Sequence, residues 1–222
     1  VRLKENGKPD NTFGTSGIVI TKDKRGSDIA RSVALQSNNR IVIAGSSSSG
    51  KSATNDILAI RYKKDGTPDS SFAKNGIFIK DLDGANDGAS TIRVQGNDKI
   101  VISGSTAKTD GPTSFVTIKL NSDGKPAVDF GNNGAVTTAI FNQSDVCNAM
   151  TLQDNNTILL AGQSANGASR LFSHVRYTSN GILDSSYGKE GIETFSLSVS
   201  NDRAEKMVRL PWNNSLLVCR SE

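Results

Sequence analysis

The chain has 222 residues, enough for one large domain or two small ones, and its 35% hydrophobic and 22% charged content can build a core, which argues against disorder. Its net charge of +4, from 26 basic and 22 acidic residues, is too small and too evenly spread to form a phosphate-tracking stripe, so nucleic acid is not an expected partner. The apolar runs fall far short of the ~20 residues of a membrane-spanning helix, and no basic-then-apolar leader opens the chain, as expected of a processed protein or a fragment.

Twenty-one glycines, only 5% aromatics, and short clusters of Asn, Asp, Ser and Gly predict many short strands joined by turns. In chain order the first full repeat predicts strand a at residues 17–21, b at 28–36, c at 40–46 and d at 56–63. Strand d alternates, with Leu58, Ile60 and Tyr62 on one face and Ala59 and Arg61 on the other, which predicts one buried and one wet face. The polar links that begin at Gln36, Gln95 and Gln153 suit tight b–c hairpins.

The same order returns down the chain. Residues 7–17 read GKPDNTFGTSG, 66–76 GTPDSSFAKNG, 124–134 GKPAVDFGNNG and 181–191 GILDSSYGKEG, with starts 59, 58 and 57 residues apart. Strand c recurs as RIVIAG from Arg40, KIVISG from Lys99, TILLAG from Thr157 and SLLVCR from Ser215, and strand b begins at Asp28, Asp87, Asp145 and Asp202. A four-stranded antiparallel meander has two open edges and cannot cover both its faces alone, so successive sheets must stack. The expected fold is all-β: a β-propeller of four-stranded antiparallel blades, about four in this chain, forming a closed four-blade ring or part of a larger propeller. The whole chain, 1–222, is expected to be one repeat domain, with repeats at about 17–75, 76–133, 134–190 and 191–222 plus an N-terminal strand in 1–16. In the closed form the strand at residues 1–3 would complete the sheet that ends at residues 215–219.

The recurring [ND]-G-x-x-D-x-x-F-G-x-x-G block, after a strand ending in Arg61–Tyr62 or Arg176–Tyr177, resembles the delta-60 repeat family of bacterial propeller-type proteins. That resemblance covers all four periods. It implies a β-propeller in a bacterial secreted, periplasmic or surface protein, with no activity assigned to the repeat. Ala73, Ala127 and Tyr187 depart from the pattern, which predicts looser d–a turns in the third and fourth repeats. Asp10, Asp69 and Asp184 are expected to bond nearby backbone or the basic residue of strand d, while Phe13, Phe72, Phe130 and Tyr187 anchor the loop between blades.

Other motifs carry little chemistry. Residues 45–52 (GSSSSGKS) match a phosphate-binding loop in form, but strand d follows where that motif needs a helix. Cys147 and Cys219, aligned with Ala30 and Ala44, read as small buried thiols rather than a disulfide. His174, the one histidine, aligns with Ala59 and Thr117 and is expected to face solvent on an outermost strand. The acidic stretch at 81–87 (DLDGAND) is the one calcium candidate and lacks a known ligand spacing, so no metal, cofactor or catalytic residue is assigned.

Strand order puts the a–b and c–d connections at one end of the blades and the b–c and d–a turns at the other. The first end carries segments that differ between repeats, including 46–55, 105–113 and 163–170, and variable loops on a rigid scaffold are where recognition is placed. The candidate partner-binding residues are Lys51, Asn55, Lys108, Asp110, Asn166 and Arg170, together with Trp212, an aromatic at a b–c tip where other repeats are polar. The expected function is a non-enzymatic protein-interaction or scaffold propeller of a bacterial exported or cell-envelope protein, whose partner is a protein or a larger assembly. A glycan ligand, or a carbohydrate-active hydrolase or lyase using Asp81, Asp83 or Glu193 at the channel mouth, is the alternative.

Overall fold

The computed structural model describes residues 1–21, 26–48, 54–107, 111–197 and 201–221. Fourteen strands are found among them, and every paired neighbour is antiparallel. The first sheet contains β1 (Asp28–Leu35), β2 (Ile41–Ser48), β3 (Asn55–Tyr62) and β4 (Ile77–Lys80). The second contains β5 (Asn86–Val94), β6 (Ile100–Ala107), β7 (Thr113–Leu120) and β8 (Ala135–Thr138). The third contains β9 (Asp145–Leu152), β10 (Ile158–Asn166), β11 (Ser169–Tyr177) and β12 (Ile192–Phe195), and β13 (Asp202–Arg209) pairs with β14 (Ser215–Ser221) in the last. No helix among the described residues is long and apolar enough to cross a membrane.

Three meanders of four strands are therefore present, but their frame is shifted from the sequence repeat. β4, β8 and β12, which the sequence places at the start of a repeat, pair with strand d of the repeat before. The d–a turn is thus a connection within one sheet, and the a–b segment is the crossover to the next. The first strands β1, β5, β9 and β13 of successive sheets pack on one another, so each crossover runs from the outer strand of one sheet to the inner strand of the next. Residues 17–21 form no strand; the N-terminal segment is tied instead by bridges between Leu3 and Pro9 and between Thr15 and Ile18.

Stacking decides where the core lies. Val42, Ile57 and Ala59 of the first sheet meet Ile92, Ile100, Ile102 and Ile118 of the second, and Val101 and Phe115 on the second sheet's other face meet Met150, Ile158, Leu160 and Val175 of the third. Period-two alternation here sends side chains to two buried faces. The expected wet face of strand d is accordingly absent: Ala59, Arg61, Thr117 and Lys119 are all buried, because the next sheet of the stack covers that face. The sheets are those of propeller blades, stacked but not closed into a ring. β14 pairs only with β13 among the described strands, and residues 1–3 do not reach it.

One pairing differs from the sequence alignment. The β13–β14 hairpin places Cys219 opposite Ala204, as Gly45 lies opposite Ala30, Gly104 opposite Ala89 and Gly162 opposite Cys147. Cys219 therefore stands at a glycine position, one residue from the alanine position assigned from sequence. Each of those glycines faces a β-bulge, and a Cβ on Gly104 would lie 1.9 Å from the Gly88 carbonyl oxygen. Strand c of the last repeat was misphased because its apolar run slides by one residue without losing hydrophobic character.

Candidate functional site

The turn end of the blades is built as a repeated latch. Arg61 Nε meets Asp69 Oδ2 at 2.9 Å, Asp69 Oδ1 accepts from the Ser71 hydroxyl at 2.7 Å, and the Arg61 guanidinium lies 4.7 Å over the Phe72 ring. Arg2, Asp10 and Phe13 repeat this, as do Arg176, Asp184 and Tyr187. Burial alone would raise the Asp69 pKa, but Ser71 and the Arg61 and Arg40 charges more than reverse it and hold the carboxylate below its ordinary range.

Each latch also grips the next blade. Gly14, Ala73 and Gly131 donate their amides to the carbonyls of Asp65, Asp123 and Asn180, the residues ahead of Gly66, Gly124 and Gly181. Those glycines have φ of 89°, 85° and 84°, the left-handed conformation that suits glycine. The basic residue reaches the same turn: Lys119 Nζ donates to the Ser179 carbonyl at 2.8 Å, and Arg2 and Arg61 bond the carbonyls of Lys64 and Ser122. The turns predicted to be looser are not. Ala127 lacks the carboxylate, yet its amide donates to the Lys119 carbonyl at 2.9 Å as that of Asp69 does to Arg61 at 3.0 Å, and the Tyr187 amide donates to the Asp184 carbonyl at 2.9 Å as that of Phe72 does to Asp69 at 3.0 Å. Backbone bonding sets this turn, and the Asp–Arg pair is added to it.

The aromatic anchor thus works inside one sheet as well as between two. A second seam contact uses Tyr177, whose hydroxyl lies 2.6 Å from Thr138 Oγ1 in the preceding blade; Tyr62 and Thr21 repeat it at 2.7 Å. At the opposite end, Asp87, Asp145 and Asp202 accept the amides of Leu82, Ile140 and Leu197 and fasten each crossover to the inner strand. Burial pushes the Asp87 and Asp145 carboxyls up in pKa.

The candidate partner-binding residues that are described, Asn55, Asn166, Arg170 and Trp212, do not gather in one place. Lys51, Lys108 and Asp110 lie outside the described residues. Asn55 is occupied as a staple, its amide donating to Asn86 Oδ1 across the blade seam at 3.0 Å. Asn166 ends β10 and pairs with Ser169 across a two-residue hairpin, so the expected loop at 163–170 is strand apart from the turn at 167–168. Trp212 is exposed in the short turn Pro211–Asn213 with a φ of 58°, at the b–c end and so at the opposite end of the blades from Asn55 and Arg170. Arg170, with Gln163, Asn201, Arg203 and Arg220, lines a cavity of about 220 Å³ between the last two sheets. Sequence reading missed Arg203 and Arg220 because the misphased strand hid that they stand opposite each other.

The remaining motifs fold into structural roles. Gly45 to Ser48 of the segment that resembled a phosphate loop belong to β2, residues 49–52 of it lie outside the described residues, and β3 follows. Asp81 Oδ1 caps the Gly84 amide, and no three His, Cys, Asp or Glu side chains among the described residues gather as a metal would require. Asp81 and Asp83 follow outer strand β4 while Glu193 lies on outer strand β12 two sheets away. Both cysteines are free; Cys147 is buried, whereas Cys219 is exposed because β14 has no third strand beside it. His174 is buried, not exposed. It sits on the third strand of four, with Nδ1 3.2 Å from the Tyr187 hydroxyl, its ring against Phe195 and Glu193 directly across the ladder. Burial lowers its pKa, with Glu193 opposing.

A family model described as a domain of unknown function (DUF5122) beta-propeller matches residues 36–72 and 95–126. Both segments run from the b–c hairpin through strands c and d into the latch, so the match repeats in phase with the first two sheets. No curated protein matches the chain. The matched segments and the sheet topology agree on one coarse statement: this chain carries repeats similar to those of a β-propeller family.

Proposed function

We propose that the chain is a non-enzymatic binding or scaffold propeller of the delta-60 type, belonging to a bacterial exported or cell-envelope protein, and that it engages a protein partner through its a–b and c–d end. One observation carries this reading. The polar groups of the turn end are taken up by the latches, with the Asp–Arg pair at three of the four copies and the same backbone bonds at the fourth, where Ala127 stands in place of the aspartate. Chemical variety is left to the other end, where Asn55, Thr113 and Arg170 occupy one register position in three successive blades and the c–d segments differ. Rigid blades that hold unlike loops at one end suit recognition better than turnover, since no acid and base converge there among the described residues.

The test replaces residues 49–53, 108–110 and 167–168 together by Gly/Ser segments of equal length, with circular dichroism to verify the fold. Partners captured by the parent chain from the envelope fraction of the source bacterium, and identified by mass, should be lost from this variant and retained by a Trp212→Ser control. Capture that survives the replacement, or that depends on Trp212 alone, overturns the assignment of the face.

A further inference from the structure

We propose that a second copy of this chain docks head to tail, its β13–β14 hairpin lying on the open face of the first sheet and completing a blade with residues 1–21. Each of the two surfaces is one half of the seam that the chain builds three times between its own sheets.

The inner seams define what either half needs. On strand c the residues facing the following sheet are Val42 and Ala44, then Val101 and Ser103, then Leu159 and Ala161, and all are buried. They meet Ile92, Met150 and Met207, which share one position on strand b, opposite Ile102, Leu160 and Leu217. The fourth pair of the series, Leu216 and Val218, is 55% and 59% exposed, and the fourth member of the strand b position, Val33, is exposed as well. The stack therefore leaves a half-seam open at each end, and the two halves are of opposite kind. Apolar side chains on such a face mark a contact surface.

The backbone is divided in the same way. Residues 1–21 stand against the first sheet as the outer half of one blade stands against the next: Thr21 meets Tyr62 as Thr138 meets Tyr177, and the Gly14 amide reaches Asp65 as that of Gly131 reaches Asn180. Leu3 bridges Pro9 as Tyr62 bridges Pro68, which gives Leu3 the place of Tyr62 at the end of strand d. No inner strands accompany this half-blade among the described residues. A groove of about 270 Å³ runs there instead, lined by Val19 and Ile20 on one side and by Ile29, Ile43, Leu58 and Ile60 of the first sheet on the other. The β13–β14 hairpin is the converse, two inner strands with no outer strand beside β14 among the described residues.

Register joins the halves. Ser215 holds the position of Ile41 and Ile158, which pair with Tyr62 and Tyr177, so Ser215 of the docked hairpin lies opposite Leu3. Leu216 and Val218 then enter the seam over Val33 and Ile43, as Val42 and Ala44 do over Ile92 and Ile102. Within one chain residues 1–3 do not reach β14 and both faces stay open, so the hairpin comes from another copy. The contact is heterologous: it closes when each of two copies fills the other's groove, and it extends into an array when the rotation does not close.

The contact uses blade faces rather than the a–b and c–d end, so it stands or falls apart from the partner reading above. In sedimentation equilibrium the full chain should associate into two or more copies below about 100 µM, far above the ~1 µM of a modest protein contact. A chain that stays single at that concentration overturns the proposal. Val33→Asp and Leu216→Asp each place a charge on one half-seam, and each should weaken association at least about tenfold. Both should keep the parent circular dichroism, because these side chains face water in the single chain. Mixed in equal amounts, the two variants should associate again, since the hairpin of the first and the groove of the second are intact. A mixture that stays single overturns head-to-tail docking in favour of like faces meeting. Leu3→Cys/Ser215→Cys in a Cys219→Gly background tests the register, since directly opposed residues on paired strands are close enough to bridge. Oxidation should link two copies through these positions. A bond within one chain overturns the proposal, as does the absence of any link between them.

Discussion

The second sheet and the β13–β14 hairpin carry the same pattern of strands and end in different states. In the second sheet Ile92, Val101 and Ile102 are fully buried, because the first sheet covers one face and the third covers the other. In the hairpin Met207 and Leu217 pack toward the third sheet, while Val208, Leu216 and Val218, on the other face, are each more than half exposed. Burial in this architecture belongs to the stack rather than to the strand. The first sheet makes the same point in mirror image, with Val33 exposed at 61% where the equivalent Ile92 is at 0%.

The sharpest way to test this difference between inner and terminal elements is the latch. Asp69→Ala strands the Arg61 guanidinium, only 2% exposed, and should cost about 3–5 kcal/mol in urea unfolding. Asp10→Ala removes the same carboxylate from the N-terminal copy, where Arg2 keeps access to water, and should barely move the midpoint. Equal losses at the two positions would mean that the terminal latch is as buried as the inner one.

The bulge glycine gives the next largest effect. Gly104→Ala drives a methyl into the Gly88 carbonyl and should lose about 1–3 kcal/mol by the same assay, whereas Cys219→Gly restores the repeat at the terminal hairpin and should not destabilise it. A destabilised Cys219→Gly would show that the hairpin has its own geometry. Tyr177→Phe leaves Thr138 Oγ1 without its partner at a buried seam and should cost about 0.5–1.5 kcal/mol, with Tyr62→Phe costing less at the open face of the first sheet.

The smallest effect is a slope. Burial lowers the His174 pKa below its ordinary 6.5, so the folded chain binds that proton less readily than the unfolded one. The contribution is fully present above pH 6.5 and is lost progressively as pH falls through that value towards the folded pKa. His174→Thr, which copies Thr117 of the second sheet, should flatten this part of the pH–stability curve. An unchanged slope would place its origin at other groups.

The amino-acid sequence by itself determined the repeat, the four strand segments, the hairpin tips and the Asp–Arg–aromatic turn, because each rests on interactions within a few residues. Glycine at positive φ, an Asx turn and a period of two are written locally. Only the tertiary structure decided which strands share a sheet, since a short strand such as Ile77–Lys80 carries no mark of whether it pairs forward or back. It decided that strand d is buried on both faces and that His174 is therefore enclosed, because alternation reports two faces and not what covers them. It also decided the register of β14, and with it the meeting of Arg170, Arg203 and Arg220. A slip of one residue changes every cross-strand partner while leaving the apolar run Leu216, Leu217 and Val218 equally plausible, so proximity between distant charges is settled by pairing geometry alone.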